Sequence, residues 1–213
     1  MATESVYTAD DDTNPYIAMS DLAINLVLIL AFFVAAVNAL GRAGWEQVRY
    51  RDAQKAFRAA VRDEMVGVPG RLRPWENQGK YDPPGTQRWT FRARSLFKPG
   101  TAEFVEGADI RFSKFGKVLR AYMPQKGKDS SKKWRRIRIE GHTAPPATGE
   151  PDDWSTSSAR AAAVAKFIQT RGHIPPHFLV VSSRAGQDPA NKIVRHDPTN
   201  ERVEIIVEYV QRK

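Results

Sequence analysis

The chain has 213 residues and a net charge of +9, which is unevenly distributed. The first 41 residues hold five acids and no Lys or Arg, so residues 42–213 carry +14 and are expected to attract an anionic polymer or surface. The absence of cysteine excludes a disulfide framework, a thiolate metal site and a cysteine nucleophile.

Residues 22–40 form an apolar run without a charged side chain. A helix of that length spans roughly 28 Å, about the thickness of a hydrocarbon core. We therefore predict a polar, disordered tail over 1–14 and a transmembrane helix over 15–41, with Pro15 in its first turn. A signal peptide is the alternative, but it calls for a basic leading segment and a shorter apolar run.

Asp21 lies at the edge of this run. If the helix begins at Leu22, Asp21 is suited to cap its N-terminus, and Ser20 can share that role. An ionisable group at membrane depth is costly, however, and usually faces a partner subunit or a water-filled path. Asn25, one turn further on, is placed to hydrogen-bond to Asp21 or to an ion there, and it fits an ordinary contact between helices equally well.

Apolar residues continue to recur at three- to five-residue intervals after the predicted span. This spacing predicts an amphipathic helix over 42–66. Residues 67–86 contain eight Gly and Pro residues, so we predict a linker and the domain boundary there.

The remaining residues, 87–213, predict an α/β domain in which a mixed sheet is covered by helices. Trp89, Phe91 and Ala93 alternate with polar residues as in a strand, and a similar alternation predicts a final strand near 203–209. Two more strands are predicted around 137–139 and 178–183, and two helices over 109–123 and 156–170.

Signatures of a phosphate loop, a nucleophile elbow or a zinc site are not found in the sequence. His173 and His177 have helical spacing, but Pro175 and Pro176 between them prevent a helix. We therefore predict a protein that is not an enzyme and that has neither a metal site nor a cofactor.

Two segments resemble OmpA-like peptidoglycan-binding domains, over about residues 89–210. Residues 135–168 hold a strand, then Gly-His-Thr, and later the start of a helix with Arg-Ala, and residues 200–205, NERVEI, resemble the closing strand of that family. The resemblance implies a peptidoglycan-binding site formed by His142, Thr143, Asp153, Arg160 and Arg202.

The sequence departs from the family at the acid that follows Gly-His-Thr, which is Ala144 here. In the family that acid and the helix Arg clamp the amine and carboxylate of diaminopimelate. Arg160 is retained, and its planar fork still suits a carboxylate. Asp152 and Asp153 are the candidates for the missing anion, and the alternatives are that the domain binds another wall chemistry or does not bind the wall. Glu201 replaces the first Arg of the closing motif.

An aromatic residue and then Asp-Leu at the mouth of a single span, followed by an OmpA-like domain, resembles the MotB-type B subunits of ion-driven stators. The resemblance implies a homodimer inside a pentamer of a MotA-like partner, with H⁺ or Na⁺ carried by Asp21 and with Ser20 and Asn25 beside its path. It places residues 42–65 where the family has a plug or linker. Because the basic tail of flagellar members is absent, a non-flagellar motor such as the Zorya-type anti-phage branch is expected.

The family places the N-terminus in the cytoplasm and the OmpA-like domain outside the inner membrane. The basic residues that follow the span favour the reverse topology. We adopt the family topology, because insertion beside a multi-span partner can override flanking charge.

Two other functions fit the sequence. One is a passive peptidoglycan anchor without ion transport. The other is a membrane-tethered nucleic-acid-binding protein, suggested by the basic cluster at 126–138 and by the flanking charge. A solvated basic loop is the simpler interpretation of that cluster, and nucleic acid is not expected as a partner.

Overall fold

A computed structural model describes residues 15–77, 82–83, 85–124, 134–147, 150–194 and 196–209. The predicted tail at 1–14 and residues 126–133 of the basic cluster lie outside the described residues. The chain divides into two compact units, Met1–Trp45 and Glu46–Lys213. Helix α1 (Pro15–Glu64) contributes its first part to one unit and its last part to the other.

In the first unit, α1 carries a segment long and apolar enough to cross a membrane. This segment is Met19–Gly41, with a mean hydropathy of 2.5 and none of it buried within the protein. The helix begins at Pro15 and not at Leu22. Asp21 is therefore the seventh residue of α1 rather than its N-cap, and the capping interpretation of Asp21 is wrong.

The second unit is a five-stranded sheet with helices on one face. Its strands are β1 (Trp75–Asn77), β2 (Thr86–Arg92), β3 (Trp134–His142), β4 (Leu179–Ala185) and β5 (Arg202–Tyr209). The order is β1-β2-β5-β3-β4. Strands β3 and β4 are parallel and the other neighbours are antiparallel, which confirms the predicted mixed sheet. The helices of this unit besides α1 are α2 (Ala108–Ala121), α3 (Trp154–Thr170) and the short 3₁₀ turns Gly70–Leu72, Ala93–Ser95 and Pro176–Phe178.

Each strand alternates between a core face and an outer face. On β2, Trp89 and Phe91 contact the aromatic rings of Phe112 and Phe115 on α2, so they lie on the core face. Residues that are directly paired on neighbouring strands have side chains on the same face of the sheet. The strand register therefore shows which residues of β1, β3 and β5 lie on the face opposite the core. The outer face of the sheet includes Trp75, Asn77, Arg88, Thr90, Arg92, Arg138, Glu140, His142, Arg202, Glu204 and Ile206.

The last part of α1 belongs to the core of the second unit. The ring of Phe57 lies 5.4–6.1 Å from those of Trp89, Phe115 and Tyr122. The side chains that are at most 2% exposed in this part of the chain are Ala53, Phe57, Val61 and Met65. From Tyr50 to Glu64 this part of the chain is helical, and its apolar face is covered by the domain.

The division between the compact units differs from the predicted boundary. It lies at Trp45/Glu46, whereas the Pro/Gly-rich segment 67–86 was expected to separate the domains. That segment instead includes β1, which pairs with β2. The Pro and Gly residues do mark turns, but the residues before and after this segment pack into the same core.

Candidate functional site

Asp21 is the only charged residue within Met19–Gly41, and its side chain is exposed. It lines a shallow depression on α1 together with Tyr16, Ser20 and Ile24. The amide of Asn25 donates to Asp21 Oδ1 at 3.4 Å, one helical turn away. The structure thus brings together the three residues that the sequence analysis placed on the ion path.

Ser20, Asp21 and Asn25 form a small polar group on this apolar segment. One carboxylate and its neighbouring amide and hydroxyl offer oxygen ligands for Na⁺ and a base for a proton. An exposed carboxylate on an apolar, membrane-length surface requires a partner helix or water to offset its desolvation.

The second candidate site lies where α3 begins. Asp153 caps the helix by accepting a hydrogen bond from the Thr156 backbone N–H at 2.8 Å. The first turn of α3 packs closely on β3, since a Cβ at Gly141 would lie 1.9 Å from the Ser157 carbonyl oxygen. This contact positions Arg160, one turn further along α3.

Arg160 is 2% exposed and is held from two directions. Its Nε donates to the Thr101 carbonyl at 2.9 Å, and its Nη1 donates to Glu201 Oε2 at 3.0 Å. The ring of Phe97 lies 5.8 Å from the guanidinium carbon. The carboxylate that Arg160 was expected to take from a ligand is thus supplied by the protein, at the position where the family has an arginine.

The acids expected to replace the missing aspartate have other roles. Asp153 is the helix cap, and Asp152 accepts hydrogen bonds from the Gly186 backbone N–H and the Gln187 side chain. Thr143 is 6% exposed, and its hydroxyl has no hydrogen-bond partner among the described residues. Arg160 and Asp153 are seven residues apart on α3, about 10 Å along the helix axis. The structure does not bring the predicted wall-binding residues into one clamp.

His142 and Arg202 lie in a buried charge network on the outer face of the sheet. His142 is fully buried, with Nε2 at 3.3 Å from Glu204 Oε2. Arg202 Nε donates to the other oxygen of Glu204 at 2.6 Å, and Arg88 bridges Glu204 and Glu140. Direct contact of His142 with a wall polymer does not fit this buried position.

The network stabilises Glu204 as a carboxylate. Burial acts to raise the pKa of this group, but contact with His142 and the charges of Arg202 and Arg88 outweigh burial and hold the pKa well below its ordinary value. For Arg88, burial acts to lower the pKa, and its bonds to Asp82 and Glu204 raise it above the ordinary value. The alternating charges of β2, β3 and β5 were the sequence signal for this network.

Three members of the network also have the composition of a metal site. Ligand atoms of Glu140, His142 and Glu204 lie within 4.8 Å of one another. Arg88 and Arg202 already contact the oxygens of these carboxylates, however. Because the negative charge is neutralised by guanidinium groups, a cation brought into this cluster would meet like charges.

The comparisons with known proteins agree with this architecture. The OmpA family model matches residues 96–203. A protein from Desulfovibrio vulgaris described as MotB like is 22% identical, with 76% of this chain and 97% of that one covered and a TM-score of 0.54. The cell wall anchor of the T6SS from Pseudomonas aeruginosa is also 22% identical, with 70% and 97% covered and a TM-score of 0.51.

The periplasmic domain of Helicobacter pylori MotB is 17% identical, with 65% of this chain and 83% of that one covered and a TM-score of 0.50. At these identities the likeness establishes the fold. A comparison with curated protein sequences gives no match.

Proposed function

The chain belongs to the OmpA family, and from this premise we propose that it is a membrane-tethered B subunit of an ion-driven motor of the MotB kind. In this proposal two copies lie inside a pentamer of a MotA-like partner. H⁺ or Na⁺ passes Asp21, and the second unit lies outside the inner membrane and anchors the complex to peptidoglycan.

The observation that carries the proposal is the carboxylate of Asp21, the one charged side chain within the largely apolar segment Met19–Gly41. A passive membrane tether gains nothing from a charge there, because an ionisable group inside a membrane costs at least about 2.5 kcal/mol at the centre of the bilayer and less towards its ends. Neutralising Asp21 with an ion removes that cost and changes which partner contacts are favourable. One charge crossing 100 mV supplies about 2.3 kcal/mol, enough for one small step of a partner ring.

The wall-facing role rests on the fold and on Arg160. A carboxylate of the wall peptide has to replace Glu201 before it can pair with this arginine. Anchoring is therefore expected to be weaker than in a domain whose arginine is open and whose acid after Gly-His-Thr is present. Arg136 and Arg138 from the basic cluster are paired with Glu208 and Glu140, which argues against a nucleic-acid surface at that point.

The test is ion flux in proteoliposomes that hold this chain together with a MotA-like partner protein. We expect Asp21→Asn to abolish flux under an imposed potential. Asn38→Ala is the matched control, since Asn38 is an exposed amide on the same apolar segment and should leave flux unchanged. Asn25→Ala should reduce flux, because it removes the hydrogen bond to Asp21.

Full flux in Asp21→Asn would contradict the motor function. Sacculus binding that persists in a complex without flux would favour a passive anchor, a role held by the T6SS protein of similar fold. The last part of α1 must be kept in every variant, because Phe57 belongs to the core of the second unit.

A further inference from the structure

The outer face of the sheet holds a cavity separate from the Arg160 site. Its volume is about 450 Å³, within the range of small-ligand sites. The floor is formed by neighbouring strands, and the walls by the segment before β1 and the segment before β5. The residues that line it and matter for recognition are Arg73, Trp75, Asn77, Thr90, Arg92 and Arg202.

The cavity carries positive charge. Arg92 and Arg202 are directly opposite each other on β2 and β5, and like charges in that relation repel. Arg202 is 4% exposed and is fixed by Glu204, by the Asn200 carbonyl and by the Asp188 carbonyl. Arg202 therefore contributes a fixed charge rather than a free donor.

Arg92 and Arg73 are less fully engaged. Arg73 donates through Nε to the Val68 carbonyl, and within the described part of the chain its two Nη groups have no partner and can bind a ligand. Arg92 Nε is buried without a hydrogen-bond partner in the described part of the chain. Two acids lie nearby. Asp197 interacts electrostatically with Arg92, and the Asp188 carboxylate lies 3.9 Å from the Arg202 guanidinium. Neither acid lines the cavity.

A second, uncharged atom also lacks a partner. Thr90 is 1% exposed, and its Oγ1 is unpaired among the residues that the structure describes. A buried hydroxyl without a hydrogen bond is unfavourable by roughly 1–3 kcal/mol, so a ligand that supplies a partner gains that energy. Trp75 pairs with Thr90 in the sheet, and its ring lies 5.5 Å from the Arg92 guanidinium.

We propose that this cavity binds an acidic sugar, with a carboxylate or phosphate against Arg92 and Arg73. The sugar ring packs on Trp75 and places hydroxyl groups against Thr90 and Asn77. Two kinds of acidic sugar carry such an oxyanion. One is a muramyl sugar of the wall, which has a carboxylate, and the other is a sugar phosphate. This site does not depend on Asp21 or on a motor partner.

Calorimetric titration of the full-length protein in detergent tests the proposal, with N-acetylmuramic acid, glucose 6-phosphate and neutral N-acetylglucosamine as probes. We expect at least one acidic sugar to bind and N-acetylglucosamine to bind at least tenfold more weakly. Arg92→Gln should weaken binding of the acidic sugar about tenfold, the size of one charge-assisted hydrogen bond. Arg94→Gln is the control, because Arg94 is an exposed arginine two residues away and its substitution removes the same charge.

Thr90→Val distinguishes a specific binding site from general attraction of an acid to a basic surface. It removes a hydroxyl without changing charge, and it should weaken binding while leaving the melting temperature unchanged or higher, since Oγ1 has no partner to lose among the described residues. Binding of the muramyl probe alone identifies a wall ligand, and binding of the phosphate alone identifies a phosphorylated sugar. The proposal would be overturned if neither acidic sugar binds, or if the neutral sugar binds as tightly as the acidic one. It would also be overturned if Arg94→Gln weakens binding as much as Arg92→Gln does, or if binding is unchanged in Arg92→Gln or in Thr90→Val.

Discussion

The guanidinium of Arg160 lies 3.0 Å from the carboxylate of Glu201, and this pair joins α3 to the residue that leads into β5. The two side chains differ in environment, since that of Arg160 is 3% exposed and that of Glu201 is 47% exposed. The arginine is therefore fixed in the protein, whereas the glutamate can turn towards solvent. An incoming carboxylate competes with Glu201 for one donor edge.

We predict that Glu201→Gln increases binding to purified sacculi and to free meso-diaminopimelate. The substitution keeps the shape of the side chain but removes the internal anion, so Arg160 is left with the Thr101 carbonyl and an unpaired charge. Pull-down with sacculi and calorimetry with diaminopimelate measure the effect. Glu106→Gln, which removes an exposed acid elsewhere, is the control. Unchanged or weaker binding in Glu201→Gln would mean that Arg160 is purely structural.

A second prediction concerns acid stability. The pKa of Glu204 is depressed in the folded protein, so its stabilising contribution is fully present above the unfolded pKa of about 4.3 and is lost as the pH falls through the folded pKa. Glu204→Gln should cost about 3 kcal/mol at pH 7, because it removes the buried carboxylate that Arg88 and Arg202 share. The difference between wild type and variant should shrink below about pH 4.

Urea denaturation of residues 46–213, which form a compact unit, measures this at pH 7, 5 and 3. Glu103→Gln is the control, because Glu103 pairs with Lys98 in an exposed position where such pairs contribute little. A difference between wild type and Glu204→Gln that stays constant down to pH 3 would show that the network does not depend on the Glu204 charge.

Much of the second unit could be predicted from local pattern. The alternation of Trp89 and Phe91 with Thr90 and Arg92 indicates β2, and helical spacing indicates α2 and α3 within two residues of their observed ends. Strand β1 was missed because three residues in a Pro/Gly-rich segment carry almost no periodicity. Its existence depends on pairing with β2, a partner that lies eleven or more residues away.

The candidate sites were less predictable, because they depend on contacts between distant segments. Arg160 and Glu201 are 41 residues apart, and the only sequence signal for their pairing was the replacement of a family arginine by an acid. The burial of His142 depends on Arg88 and Glu204 from other strands. By contrast, the contact of Asp21 with Asn25 follows from helical spacing alone, and the sequence indicated it.

A third prediction tests whether the last part of α1 is integral to the second unit. Phe57→Ala in residues 46–213 should reduce the free energy of unfolding by about 3–5 kcal/mol, since it leaves a cavity among Trp89, Phe115 and Tyr122. Lys55→Ala, at an exposed position two residues away, should stay within about 0.5 kcal/mol of wild type. A small effect of Phe57→Ala would indicate a detachable linker helix instead.

The last prediction concerns the close approach of β3 and α3. A Cβ at Gly141 would lie 1.9 Å from the carbonyl oxygen of Ser157 and 2.7 Å from its carbonyl carbon, and neither backbone atom can rotate away. Gly141→Ala must therefore separate the helix from the strand, and we expect a loss of about 3 kcal/mol or more. Gly70→Ala is the control, because among the described residues beyond its chain neighbours none places an atom within 4 Å of its Cβ position.

Displacement of α3 in Gly141→Ala should also pull Arg160 away from Glu201. Adding Glu201→Gln to Gly141→Ala should therefore no longer increase sacculus binding, although the same substitution does so in the wild-type background. Chemical denaturation and sacculus pull-down on the single and double variants measure both effects. A stable Gly141→Ala protein in which Glu201→Gln still increases binding would show that β3 and α3 can move apart without disturbing the arginine, and the positioning role of this contact would then be wrong.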